Sequence, residues 1–214
     1  MGTELIERLA DKTVTKEELL QRVMHDCDLL PEVVKGVSSS KAAIRYGCAK
    51  VLMDLSEERP GELYPYLDEF VELLDSKYRI LTWTALTIIA NLAKVDKERK
   101  IDAILSKYYS YLDNDYLVTV VTVVGNSAKI AIAKPYLTQK ITAELLRVDD
   151  ISVTPHLTEE CKRVILEKTI DCFDAIFDQL HDKAEVLSLV KRQLDSPRTS
   201  LKAKAKSFLE KRST

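Results

Sequence analysis

Apolar residues recur along this chain at helical spacing, and the spacing itself repeats. Ile44, Cys48, Val51, Leu52 and Leu55 fall at offsets 0, 4, 7, 8 and 11, which traces one stripe along a helix. Moved on by 37 residues, the template gives Leu81, Ala85, Ile88, Ile89 and Leu92; another 36 gives Leu117, Val121, Val124, Gly125 and Ala128. It returns as Ile165, Thr169, Cys172, Phe173 and Ile176, and last as Leu201, Ala205, Phe208 and Leu209.

A second stripe lies between the copies of the first. Leu63, Leu67, Phe70, Val71 and Leu74 become, 38 residues later, Ile101, Leu105, Tyr108, Tyr109 and Leu112. Leu137, Ile141, Leu145 and Val148 form a looser third copy, opened by Pro135-Tyr136-Leu137 as Pro65-Tyr66-Leu67 opens the first. Val186, Leu187, Val190 and Leu194 form the fourth, and a shorter pair precedes them all between Thr15 and Val37. A repeat of helix–turn–helix units at this period predicts a stack in which each pair buries its apolar face on the next.

Turn residues agree with that register. Thr15 with Glu18 is a capping box. Ser40, Ser76, Asn114 and Thr158 stand where N-caps are expected, and Ser196-Pro197 places a cap before a proline. Pro60-Gly61 divides the first full pair into two helices. One segment conflicts: the run from Leu117 to Val124 is β-branched and reads as a strand by propensity. The repeat assigns it to a helix, because packing outweighs a propensity difference of a few tenths of a kcal/mol per residue.

The predicted fold is therefore all-α, an α-solenoid of about five antiparallel helix pairs plus a terminal helix. The chain reads as one domain, 1–214, with capping helices over 1–37, three regular units over 38–148, an inserted loop over 149–157 and C-terminal units over 158–214. It resembles the HEAT-repeat (armadillo-like) α-solenoid family. The resemblance rests on Ile44-Arg45-Tyr46-Gly47-Cys48-Ala49-Lys50-Val51-Leu52, on Leu81 to Ala93, and on Ser196 to Ala205. First helices of the family open with an aliphatic–Arg pair, which Ile44-Arg45 keeps and which Thr82 and Val118 replace in the next two copies. The resemblance implies that second helices line a concave surface suited to an extended partner.

Composition narrows the class. Hydrophobic residues make up 46% and charged residues 31%, which suits a globular chain and excludes a disordered one. Five glycines and six prolines are too few for the turns of an all-β fold. The opening residues are mixed and charged, and the longest apolar run is broken by Asn126, Ser127 and Lys129, so the expectation is a cytoplasmic protein without a membrane span. Cys27, Cys48, Cys161 and Cys172 form no CxxC pair, and reduced, buried thiols are expected rather than a metal site. Phosphate-loop, zincin, nucleophile-elbow and dinucleotide motifs are absent, and His25, His156 and His181 have no partner at catalytic spacing, so no catalytic residue, cofactor or metal is assigned.

Candidate chemistry is that of a binding surface. Tyr64, Tyr66, Tyr111 and Tyr136 fall on second helices or their first turns, and tyrosine combines contact area with a polar tip. From Asp54 to Asp75 there are eight acids against one base, with Asp68 and Glu72 at helical spacing. These six residues are the expected contacts for a protein or peptide partner. From Lys183 to Thr214 there are nine bases against three acids, and Lys191, Arg192, Arg198 and Lys202 are the candidates for the alternative, a nucleic-acid binder or HEAT-like DNA glycosylase. The net charge of −2 favours the first reading. The inserted 149–157 loop is expected to act as a contact loop or as a spacer. Oligomeric state is left open.

Overall fold

The structure, a computed structural model, describes residues 2–212. It is all-α among those residues, and the chain divides into two compact units, 1–101 and 102–214. Unit 1 contains α1 (Gly2–Ala10), α2 (Lys16–His25), α3 (Leu30–Gly36), α4 (Ala42–Glu58), α5 (Pro60–Leu63), α6 (Leu67–Leu73) and α7 (Arg79–Leu92). The boundary falls at the start of α8 (Lys100–Ser110), and unit 2 continues with α9 (Leu117–Ala133), α10 (Thr138–Leu146), α11 (Glu159–Ile176), α12 (Ala184–Arg192) and α13 (Thr199–Glu210).

The predicted stripes form the cores. Every member of the stripes beginning at Ile44, Leu81 and Ile165 is buried, as is every member of the second-helix stripe from Ile101 to Leu112. The β-branched run from Leu117 is helical, as the repeat required. Its rotation differs from the template: the buried residues are Thr119, Val120, Val123, Val124, Asn126, Ser127, Ile130 and Ala131, while Gly125 is exposed and Leu117, Val121 and Ala128 are half-buried. The helix is apolar on nearly all sides, so hydrophobicity alone does not set which side turns in. A polar contact helps to set it, because buried Tyr109 donates its hydroxyl to Ser127 Oγ at 2.9 Å.

Capping departs from expectation in a regular way. The Thr15–Glu18 capping box is present, and Thr158 caps α11 by accepting from the Cys161 N–H. Ser76 and Asn114, however, accept from the N–H two residues on, at Tyr78 and Tyr116. Ser39, rather than Ser40, does the same for Lys41, and Ser196 for Arg198. The N-cap positions fall one residue later than expected at Lys41 and two residues later at Tyr78, Tyr116 and Arg198, so these side chains close the turn before the helix instead of capping it. Arg45 reinforces one such turn: buried, it donates to the carbonyls of Ser39 and Ser40 at 2.8 and 3.2 Å and lies over the Tyr78 ring at 3.9 Å.

The two layers are unequally spaced. In unit 1 α4 packs directly on α7; in unit 2 α9 packs on α11 and α11 on α13. Second helices stand further apart, and a groove of about 460 Å³ opens between α3 and α6.

All four cysteines are free thiols. Burial pushes the Cys48 and Cys172 thiols up to about 12, so neither is poised as a nucleophile at neutral pH. Among the described residues no His, Cys, Asp and Glu cluster could hold a metal, and no helix is long and apolar enough to cross a membrane.

Candidate partner-binding surface

The acidic stretch of unit 1 runs through α5, a 3₁₀ turn over Tyr64–Tyr66, and α6. Pro60 sits in the first turn of α5 and Pro65 within the 3₁₀ turn, where a missing N–H costs no helical bond. That bend sets Tyr64 and Tyr66 to different tasks.

Tyr64 is half-buried and its hydroxyl donates to Asp96 Oδ1 at 2.5 Å. Asp96 is buried and also accepts from the backbone N–H groups of Lys100 and Ile101 at 2.9 and 3.0 Å. Burial and the Asp96 carboxylate push the Tyr64 phenol up to about 12. Tyr64 therefore braces the connection into α8 and does not present a free hydroxyl to a partner.

Tyr66 lines the α3–α6 groove. Pro31, Val34, Val37 and Leu73 give the groove apolar walls, Glu69 and Glu72 stand beside them, and Lys35 lies in the same lining. Asp68 is exposed on the same helix and acts electrostatically on Lys100. No hydrogen bond or ion pair holds the carboxylates of Glu62, Glu69 and Glu72 among the described residues. The last turn of α6 carries no base, so Glu72 opposes both the helix dipole and its i−3 and i−4 neighbours Glu69 and Asp68. The groove thus gathers Tyr66 and Glu72 from the sequence reading and adds Glu69, whose position three residues after Tyr66 was the available signal.

The other two tyrosines belong to unit 2. Tyr111 is half-buried in the 3₁₀ turn after α8. Tyr136 is 55% exposed, but its hydroxyl is fixed: it donates to Asp102 at 3.0 Å and accepts from Lys134 Nζ at 3.1 Å. Lys134 is buried and pairs with Asp102 at 3.1 Å.

The basic C-terminal stretch is largely compensated. Arg198 pairs with Glu160 and Glu167, Lys204 with Asp171, and Lys211 and Arg212 with Asp174. Arg192 pairs with Asp149 at 2.7 Å. Of the four nucleic-acid candidates, only the exposed Lys191 and Lys202 stand outside these pairs. Hydrogen bonds from Arg198 and Arg163 hold the Glu160 carboxyl below its ordinary range. Burial alone would raise Glu167 and Asp174, yet Arg198 and Ser200 lower the first and Lys211 and Arg212 the second. Carboxyls lowered on folding stabilise the fold above their unfolded range, about pH 4, and lose that contribution as the pH falls through their lower folded values. Thermal melts at pH 7 and pH 3 are expected to show a lower midpoint in acid. Arg198→Met is expected to make that difference smaller; an unchanged difference would remove these pairs as its source.

No family model matches the sequence, and no curated protein matches it. Solved structures do match in fold. A designed armadillo repeat protein, YIII(Dq)4CqI, superposes with a TM-score of 0.62 at 19% identity, covering 97% of this chain and 92% of its own. Computationally designed armadillo repeat proteins for modular peptide recognition give 0.64 at 16% identity, covering 98% and 90%. The designed armadillo repeat protein YIII(Dq.V1)4CPAF, in complex with peptide (KR)4, gives 0.61 at 17% identity, covering 97% and 90%. These likenesses span nearly the whole chain, which has the fold of an armadillo/HEAT-like repeat solenoid.

Proposed function

We propose that this protein is a non-enzymatic scaffold that holds an extended, Lys- and Arg-bearing segment of another protein in the α3–α6 groove of unit 1. The observation that carries the reading is the groove itself, with Tyr66 and apolar walls beside the unpaired carboxylates of Glu69 and Glu72. Asp68 extends the same charge along α6. Glu72 stands four residues after Asp68 and three after Glu69, a like-charge spacing that destabilises the helix, and a cationic partner would relieve that repulsion. A designed armadillo repeat protein similar in fold is in complex with peptide (KR)4, which supports the reading. Tyr111 and Tyr136 remain proposed contacts of unit 2, with the phenol of Tyr136 held in place by Asp102 and Lys134.

The nucleic-acid alternative draws less support, because Arg192 and Arg198 are engaged by Asp149, Glu160 and Glu167. Fluorescence anisotropy with a labelled octapeptide of alternating Lys and Arg tests the reading. Glu69→Lys combined with Glu72→Lys is expected to weaken binding on the order of 100-fold, while Lys191→Glu with Lys202→Glu leaves it unchanged. Equal affinity for the wild type and the α6 variant would refute the groove. Tight binding of a labelled DNA duplex, lost steeply with salt, would favour the alternative.

A further inference from the structure

The inserted stretch that separates α10 from α11 is built as a rigid surface. A 3₁₀ turn over Arg147–Asp150 opens it, and Asp149 is tied to Arg192 on α12. Further on, Thr154 Oγ1 accepts from the N–H groups of His156 and Leu157 at 3.2 and 3.0 Å, and the Thr154 N–H donates to the Leu157 carbonyl. Leu157 is buried and anchors the loop end.

The loop presents apolar surface. Val153 is 46% exposed, as are Tyr116 at 39% and Val118 at 48% at the start of α9. The His156 ring stacks on Tyr116 with centroids 6.0 Å apart and planes 16° from parallel. Together they offer an aromatic plate flanked by valines, the type of surface that single scattered apolar residues do not make.

Next to the plate lies a cleft of about 290 Å³, lined by Asp113, Asp115, Arg147, Asp150, Ser152 and Thr154. Ser152 and Thr154 line the cleft and flank Val153 in the chain, and Asp115 lines it and precedes Tyr116, so the same two segments supply both plate and cleft. The Arg147 guanidinium is already engaged by Asp113 at 3.0 Å and Glu144 at 2.6 Å. No ion pair or hydrogen bond holds the carboxylates of Asp115 and Asp150 among the described residues. The cleft is left with an excess of negative charge beside an apolar plate.

We infer that the insertion forms a second docking surface, separate from the α3–α6 groove, for an arginine-bearing segment of a partner protein. The guanidinium enters the cleft between Asp115 and Asp150, and an adjacent apolar side chain lies on Tyr116, His156 and Val153. Arginine fits this arrangement because its planar fork serves two carboxylates at once.

Titration of the full chain, labelled with nitrogen-15 and carrying Glu69→Lys and Glu72→Lys to silence the other groove, tests this by amide chemical shifts. The probes are the acetylated tetrapeptide amides Leu-Arg-Leu-Arg and Leu-Glu-Leu-Glu. The arginine peptide is expected to shift the amides of Asp115, Ser152, Val153 and His156 saturably, and the glutamate peptide to leave them in place. Asp115→Asn with Asp150→Asn is expected to weaken that binding about tenfold, with the remaining amides confirming an intact fold. Equal shifts from both peptides, binding unchanged in the double variant, or no shift at those four amides would each overturn the inference.

Discussion

Asp96→Ala is expected to lower the unfolding free energy by about 3 kcal/mol. Its two oxygens serve three donors: the Tyr64 hydroxyl and the backbone N–H groups of Lys100 and Ile101. Ile101 is fully buried and Asp96 itself only 6% exposed, so water cannot take over the lost bonds without opening the core. Each orphaned buried donor costs about 1–3 kcal/mol. Tyr64→Phe removes only one bond and leaves the acceptor in place for the other two, so about 1 kcal/mol is expected. Chemical denaturation of the two variants checks the ordering; a larger loss for Tyr64→Phe would contradict it. The Tyr64 phenol, raised to about 12 in the fold, adds a pH dependence of definite sign. Its contribution is complete below the ordinary tyrosine value of about 10, and is lost as the pH rises toward 12.

Gly36→Ala is expected to cost about 2 kcal/mol by overpacking. A Cβ at Gly36 would lie 2.4 Å from Cys48 Sγ and 3.2 Å from Cys48 Cβ. Cys48 is fully buried in the α4 stripe, which leaves its sulfur little room to turn away. This is where α3 meets α4, and the missing side chain is what lets the two helices close. The clash predicts a specific coupling. Cys48→Ala alone opens a small cavity and costs about 1 kcal/mol, but it also removes the sulfur that Gly36→Ala strikes. In a double-mutant cycle the two substitutions together should cost less than the sum of their separate effects by about 1 kcal/mol or more. Strict additivity would show that the α3–α4 approach is looser than the geometry indicates.

Most of the fold was legible because the repeat is written in burial. The stripes from Ile44 to Leu55 and from Ile165 to Ile176 are buried in the register the repeat predicts. The Leu117 copy slipped because α9 has apolar residues on nearly every side, and the contact that helps to set its rotation, Tyr109 with Ser127, is tertiary. Ser76 and Asn114 were recognised as punctuation, yet whether such a side chain caps a helix or closes the preceding turn depends on backbone angles that residue type does not specify.

The candidate surface was less legible. An acidic α6 is visible in composition, and so is a basic C-terminal stretch, but composition does not say which charges are paired. The structure separates them: Glu160, Glu167, Asp171 and Asp174 on α11 meet the bases of the C-terminal stretch, whereas Glu69 and Glu72 are held by no such pair. The tyrosines show the same limit. Tyr64 and Tyr66 are two residues apart, yet one braces a buried carboxylate and the other lines a groove.

The central claim is that a basic segment sits between α3 and α6. An alternating Lys–Arg octapeptide carrying one benzoylphenylalanine, photo-crosslinked to the full chain and mapped by mass spectrometry, tests it most directly. The expected result is crosslinks to residues of α3 and α6, Tyr66 and Leu73 among their neighbours, that disappear when Glu69→Lys and Glu72→Lys are introduced. Crosslinks absent from α3 and α6, or present there and unaffected by the two reversals, would contradict the account.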